Sequence, residues 1–110
     1  MKQRIYRVLL NIAKKGEIIT YSDLADKVHF PLRHVQDYKK LGLILIEIDR
    51  VQYATTGVLL SACCVRKHIE VPGNGFFNNM RRMGIDVGKN KVISYVRELK
   101  KLYKYLKNAS

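Results

Sequence analysis

The residues best equipped for covalent chemistry are the adjacent cysteines Cys63 and Cys64, followed closely by Arg66, Lys67 and His68. A thiol becomes a nucleophile when a neighbouring histidine or cation lowers its pKa. Neighbouring cysteines are a strained disulfide pair, so no disulfide framework is implied. A zinc site from Cys63, Cys64 and His68 has unsuitable spacing and no evident fourth ligand. On a strand, one of the two thiols would face inward and the other outward. The pair therefore reads as small buried hydrophobes, with Cys63 as the minor candidate for a catalytic thiol. The remaining histidines, His29 and His34, complete no nucleophile or metal pattern. Gly73-Asn74-Gly75 lacks the Lys-Ser/Thr that a phosphate loop requires, and the nine acids are scattered. No cofactor or metal is expected.

Charge is the stronger signal. Twenty-one Lys and Arg stand against nine Asp and Glu, a net charge of +12. Residues 1–16 hold five basic groups and no acid, residues 17–75 hold seven of each sign, and residues 76–110 hold nine basic and two acidic groups. The excess thus sits entirely at the two ends. Such a field draws polyanions, DNA and RNA foremost, and Lys100 and Lys104 are the leading phosphate contacts near the C-terminus. For any single lysine, the wet side of an amphipathic helix is the better account. An acidic protein surface is the alternative kind of partner.

The elements that must position these groups follow from periodicity. Ile5, Val8, Leu9 and Ile12 predict a helix over about 2–15, stopped by Gly16. Ile18 and Ile19 fit a short extended link. Thr20, with Asp23 three residues on, predicts an N-cap and a second helix from Tyr21 to about Val28. After a turn at His29-Phe30, Pro31 suits the first position of a third helix reaching at least Leu41. Residues 43–55 fit a helix or a strand, with helix favoured. Thr55-Thr56-Gly57 reads as a loop and Val58 to Arg66 as a strand. Val71 to Gly75 is a turn-rich loop, and Phe76 to Met83 a short helix stopped by Gly84. Asn90 is a cap for a last helix over about 91–107, with Val92, Tyr95, Val96, Leu99, Leu102, Tyr103 and Leu106 as its buried stripe. The first and last helices are expected side by side, forming one positive face.

The segment Ile19-Thr20-Tyr21-Ser22-Asp23-Leu24-Ala25, followed by Arg33-His34-Val35, resembles the helix-turn-helix of the O6-alkylguanine-DNA alkyltransferases and their non-enzymatic alkyltransferase-like relatives. The resemblance implies a winged-helix domain that reads the minor groove and flips a guanine from the stack. It implies that Arg33 fills the gap left by the base and that Tyr21 handles the target phosphate. Counting back from Gly75-Phe76, Cys63 falls on the family's alkyl-accepting cysteine. Here, however, Ala62-Cys63-Cys64-Val65 replaces the family's Pro-Cys-His-Arg, so the histidine that activates the thiol is missing. Leu59-Leu60-Ser61-Ala62 with Pro72-Gly73-Asn74-Gly75-Phe76 also resembles a set of small microbial proteins, a likeness that brings no activity with it.

The expectation is one α+β domain over 1–110, a winged-helix-like helix-turn-helix fold with a small β element and a long C-terminal helix. It is cytoplasmic and binds double-stranded DNA without catalysis, RNA being the other polyanion. Its expected contacts are Tyr21, Ser22, Arg33, His34, Lys40, Arg66, Lys67, Lys100 and Lys104. The alternatives are a protein-interaction factor of viral or mobile-element type and a single-turnover alkyl acceptor through Cys63.

Overall fold

The computed structural model describes residues 1–109. Its elements run α1 (Lys2–Lys14), β1 (Ile19–Thr20), α2 (Tyr21–Val28), α3 (Val35–Thr56), a 3₁₀ turn (Leu60–Cys63), β2 (Cys64–Val65), α4 (Asn74–Arg82) and α5 (Lys91–Ala109). It is a mostly helical domain with one two-stranded parallel sheet, in which Ile19 faces Cys64 and Thr20 faces Val65. The Cα radius of gyration is 13.0 Å, that of a well-packed chain of this length. No described helix is long and apolar enough to cross a membrane.

Several elements form for the local reasons read from the sequence. Ile5, Leu9 and Ala13 recur every four residues and bury one face of α1. The Thr20 hydroxyl accepts the Asp23 N–H at 3.2 Å and starts α2. That helix stops at His29, held in the left-handed region at φ 57°, where the Phe30 N–H reaches back to the Ala25 carbonyl at 2.8 Å. Asn90 accepts the N–H groups of Val92 (3.0 Å) and Ile93 (3.2 Å), capping α5.

The third helix differs at both ends. It starts at Val35 rather than Pro31, because the Asp37 carboxylate takes the N–H groups of Arg33 (2.9 Å) and His34 (3.0 Å) and makes His34 the N-cap. Arg33 and His34 therefore precede the helix instead of lying on it. At the other end, α3 runs through residues 43–55 and includes Thr55 and Thr56. Their hydroxyls turn back onto the carbonyls of Val51 and Gln52, and Gly57 at φ 75° ends the helix. Burial of Leu41, Leu45 and Ile48 on one side favours helix over strand throughout.

Val58 to Arg66 is not one strand. Asp49, buried on α3, accepts the Ser61 N–H at 2.9 Å and the Ser61 hydroxyl as well, which winds residues 60–63 into a 3₁₀ turn. Only Cys64 and Val65 remain as β2. The β element is thus a pair of parallel rungs, and no antiparallel hairpin occurs among the described residues. Residues 58–65 are all buried, and the 3₁₀ turn packs against α1, α3 and α5 together.

On α5, Tyr95 and Leu102 are buried as expected, but Val92 and Val96 are exposed, and Ser94 and Glu98 take inward positions. Glu98 meets Arg97 Nε at 2.8 Å and Lys101 Nζ at 3.3 Å, so its buried charge is matched at the rim of the helix.

Burial pushes the Asp49 carboxyl up to about 6 from 3.8, against the pull of its hydrogen bonds from Ser61. A carboxyl raised in the fold binds its proton more tightly there than in the unfolded chain, so its ionisation costs stability as pH rises from about 4 through about 6. The cost is roughly 3 kcal/mol. Asp49→Asn can still accept the Ser61 N–H and can donate to the Ser61 oxygen. In urea titrations its stability relative to the unmodified chain is expected to rise by roughly 3 kcal/mol between pH 4 and pH 7.5, matching or exceeding the unmodified chain at the upper end. Parallel stability curves across this range would remove Asp49 as the titrating group.

Candidate nucleic-acid interface

Tyr21 opens α2, directly after β1, so its ring lies beside the sheet. Its hydroxyl accepts the Gly73 N–H at 3.0 Å and pins the Pro72-Gly73 loop to the β element. Burial, reinforced by the nearby Cys64 thiol, pushes the phenol up to about 12, with Gly73 and Arg66 pulling the other way. Tyr21 therefore remains neutral, and its own O–H proton is still available to an acceptor. Arg66 leaves β2 next to it. The Arg66 N–H donates to the Val71 carbonyl at 2.8 Å, closing a tight loop in which His68 (φ 72°) and Glu70 (φ 58°) are left-handed. Arg66 is partly buried, with no partner for its Nε, whereas Lys67 is exposed.

A cleft of about 660 Å³ lies beside this loop. Glu17, Asp23, Asp26 and Glu70 line it together with Lys27, Arg66 and His68. Four carboxylates in one cleft oppose a phosphate, so Arg66 faces a mixed rather than a cationic surface. Ser22 is exposed nearby, its hydroxyl 3.3 Å from that of Thr20.

Arg33, His34 and Lys40 form a separate group at the start of α3, all exposed. The two N–H donors from Arg33 and His34 hold the Asp37 carboxyl below its usual range. The backbone of Arg33 is thereby fixed while its side chain faces solvent. Among the described residues, no hydrogen bond or ion pair joins this group to Tyr21 or Arg66. Tyr21 and Arg66 come together, and the helix-three cations stand apart from them.

Lys100 and Lys104 lie on the outer face of α5. Arg97, Lys100, Lys104 and Lys107 fall at i, i+3, i+7 and i+10, which puts them on one side of the helix. Among the described residues, no carboxylate lies within 4.0 Å of Lys100 or Lys104. The inner face of α5 packs against α1, as expected, and the Tyr103 hydroxyl donates to the Glu17 carbonyl at 2.7 Å to clamp the helix against the end of α1. Arg97 was not among the expected contacts, although its spacing from Lys100 and Lys104 carried the signal. It also donates to the Asp86 carbonyl at 2.7 Å.

Both cysteines are fully buried, so neither faces outward. The strand alternation expected for them fails because Cys63 closes the 3₁₀ turn and only Cys64 belongs to β2. The Cys63 thiol lies 3.3 Å from the Leu60 carbonyl and 3.8 Å from that of Leu9. Burial pushes it up to about 12 and pushes Cys64 well above the ordinary thiol range. No group of three or more His, Cys, Asp or Glu among the described residues could hold a metal ion. No protein-family model, curated protein or solved structure matches the chain.

A buried thiol with a raised pKa is protected from reagents that need the thiolate. In the folded chain at pH 8, both cysteines are expected to react with a disulfide reagent at least about a hundredfold more slowly than in urea. A fast-reacting equivalent in the native state would reopen Cys63 as a nucleophile.

Proposed function

We propose that the protein binds nucleic acid, double-stranded DNA in the first place, through the positive faces of α5 and α1, and that it does so without catalysis. One observation carries this reading: the outer face of α5 presents Lys100 and Lys104 with no carboxylate within 4.0 Å among the described residues, in a chain of net charge +12. Cations in this state neutralise phosphates and release condensed counterions, which supplies sequence-independent affinity.

The winged-helix and alkyltransferase-like assignments belong to the same proposal. They are supported by the succession of a short strand, Tyr21 at the head of α2, α3, and a second short strand that starts at Cys64. In this reading α2 and α3 are the helix-turn-helix unit, although residues 29–34 make a longer connection than the usual three or four. Arg33 and His34, at the exposed N-terminal end of α3, address the groove. Tyr21 and Ser22 offer hydroxyls to a phosphate, Lys40 stands one turn along α3, and Arg66 and Lys67 flank the site. The buried thiols lend no support to alkyl transfer through Cys63.

A second reading, an acidic protein as partner, is favoured by a specific feature of the same face. Ile93 is 67% exposed and Val96 38% exposed, immediately N-terminal to the cations. Exposed apolar side chains beside cations suit a protein surface better than a phosphate backbone.

Fluorescence anisotropy with a short duplex, titrated between about 50 and 200 mM salt, separates the two. Binding should weaken steeply with salt, and Lys100→Glu with Lys104→Glu should reduce the salt slope by about 2. No binding at the lower salt would exclude the DNA reading and leave the acidic partner. Arg33→Ala tests the role of α3 separately: a loss of about tenfold or more places Arg33 at the duplex. Unchanged affinity would leave the binding to α5 and α1.

A further inference from the structure

The helix α3 outreaches the body on which it packs. Val35, Tyr38, Gly42, Leu45 and Asp49 follow one another at spacings of three and four, which lines them up along one stripe. Leu45 and Asp49 are buried, so the far half of this stripe faces the core. Val35 is 72% exposed and Tyr38 54%, so the near half projects past its cover. Between the halves lies Gly42, and no side chain or other element stands within 4 Å of the place its own side chain would occupy. The stripe that anchors the helix therefore opens to solvent over its first two turns.

The chemistry there is that of a flat ring among cations. Tyr38 is the most exposed aromatic side chain among the described residues, and neither its ring nor its hydroxyl has a partner in the fold. Glycine is unfavourable inside a helix, and here it removes the side chain that would stand one turn from that ring. Lys39 borders the stripe four residues after Val35, and Arg33 directly precedes the helix. No carboxylate lies within 4.0 Å of either, among the described residues. The one acid of these turns, Asp37, is off the stripe, and its carboxylate is engaged by the N–H groups of Arg33 and His34.

Size and charge together select the occupant. From Val35 to Gly42 the stripe is only about 10 Å long. A stable protein interface covers about 800 Å² on each partner, far more than two turns of one helix offer. A single nucleotide fits this length and matches the charge. Aromatic side chains stack on any base, because every base has a π face. Inside a duplex both faces of a base are already covered by its neighbours, so the base that stacks here is unpaired.

We propose that the first two turns of α3 bind an unpaired base of a nucleic acid, stacked on the Tyr38 ring in the space left by Gly42, with Lys39 at the adjoining phosphate. This rests on the nucleic-acid reading and deepens it. The faces of α5 and α1 hold phosphates without regard to pairing, Arg33 keeps its place at the duplex, and Tyr38 selects a strand whose bases are free. The preferred ligand is then a duplex with a single-stranded extension.

Fluorescence anisotropy at about 50 mM salt compares three labelled probes: a blunt duplex, the same duplex with about six unpaired thymidines, and one whose extension consists of abasic nucleotides. The abasic extension keeps the phosphates and removes the rings, so it separates charge from stacking. The thymidine extension should raise affinity about tenfold over the abasic one. Tyr38→Ala should remove that difference and leave the blunt duplex bound as before, whereas Tyr38→Phe, which keeps the ring, should preserve it. Gly42→Leu fills the space beside the ring and should also remove the difference. Helical circular dichroism checks that each variant is folded. Should Tyr38→Ala unfold the chain, Gly42→Leu and the abasic probe decide the question. Equal affinity for the thymidine and abasic extensions, or a difference that survives Tyr38→Ala, overturns the proposal and leaves the nucleic-acid reading standing. No binding of any probe overturns both.

Discussion

The buried Asp49 carboxylate is the constraint around which the rest of the fold is arranged. It sits on the inner side of α3 and takes both the N–H and the hydroxyl of Ser61. These bonds draw the chain after α3 into a 3₁₀ turn and place that turn among α1, α3 and α5. Everything at the centre follows from this one attachment. Leu59, Leu60, Ala62 and Cys63 are buried around it, and β2 emerges only after the turn, in register with β1. A buried carboxylate that loses its donors is costly, so the chain has little freedom to leave this arrangement.

A second buried acid settles the outside. Glu98 faces inward on α5 and holds Arg97 and Lys101 at the rim. This sets the rotation of the helix about its own axis. Tyr95 and Leu102 point into the core, while Lys100 and Lys104 stand in solvent. The same rotation leaves Val92, Ile93 and Val96 exposed, which gives the positive face its apolar end. The character of the candidate interface is thus decided by one inward glutamate.

The legible parts of this fold are those whose causes lie within a few residues. Thr20 with Asp23, and Asn90 with the N–H groups that follow it, are capping arrangements between near neighbours. The Ile5, Leu9 and Ala13 spacing is equally local, and so is the cationic spacing on α5. The misread parts have other causes. The start of α3 turned on Asp37 choosing the Arg33 and His34 N–H groups over a start at Pro31, and both alternatives have sound local chemistry. The largely apolar segment at 58–66 reads as strand until Asp49, 12 residues before Ser61, is placed beside it. The burial of both cysteines follows from the same distant contact.

By itself, the sequence determined where most helices lie, how two of them are capped, and that the positive charge collects at the two ends of the chain. These properties depend on backbone preferences and side-chain types acting over one or two helical turns. Only the tertiary structure decided which faces are covered. It set Tyr21 against Gly73 and kept it apart from Arg33. It also withdrew both thiols from solvent, and it left Val35, Leu43 and Val51 exposed on α3. The reason is physical: burial depends on what the other elements bring to a surface, and no local pattern specifies its partner.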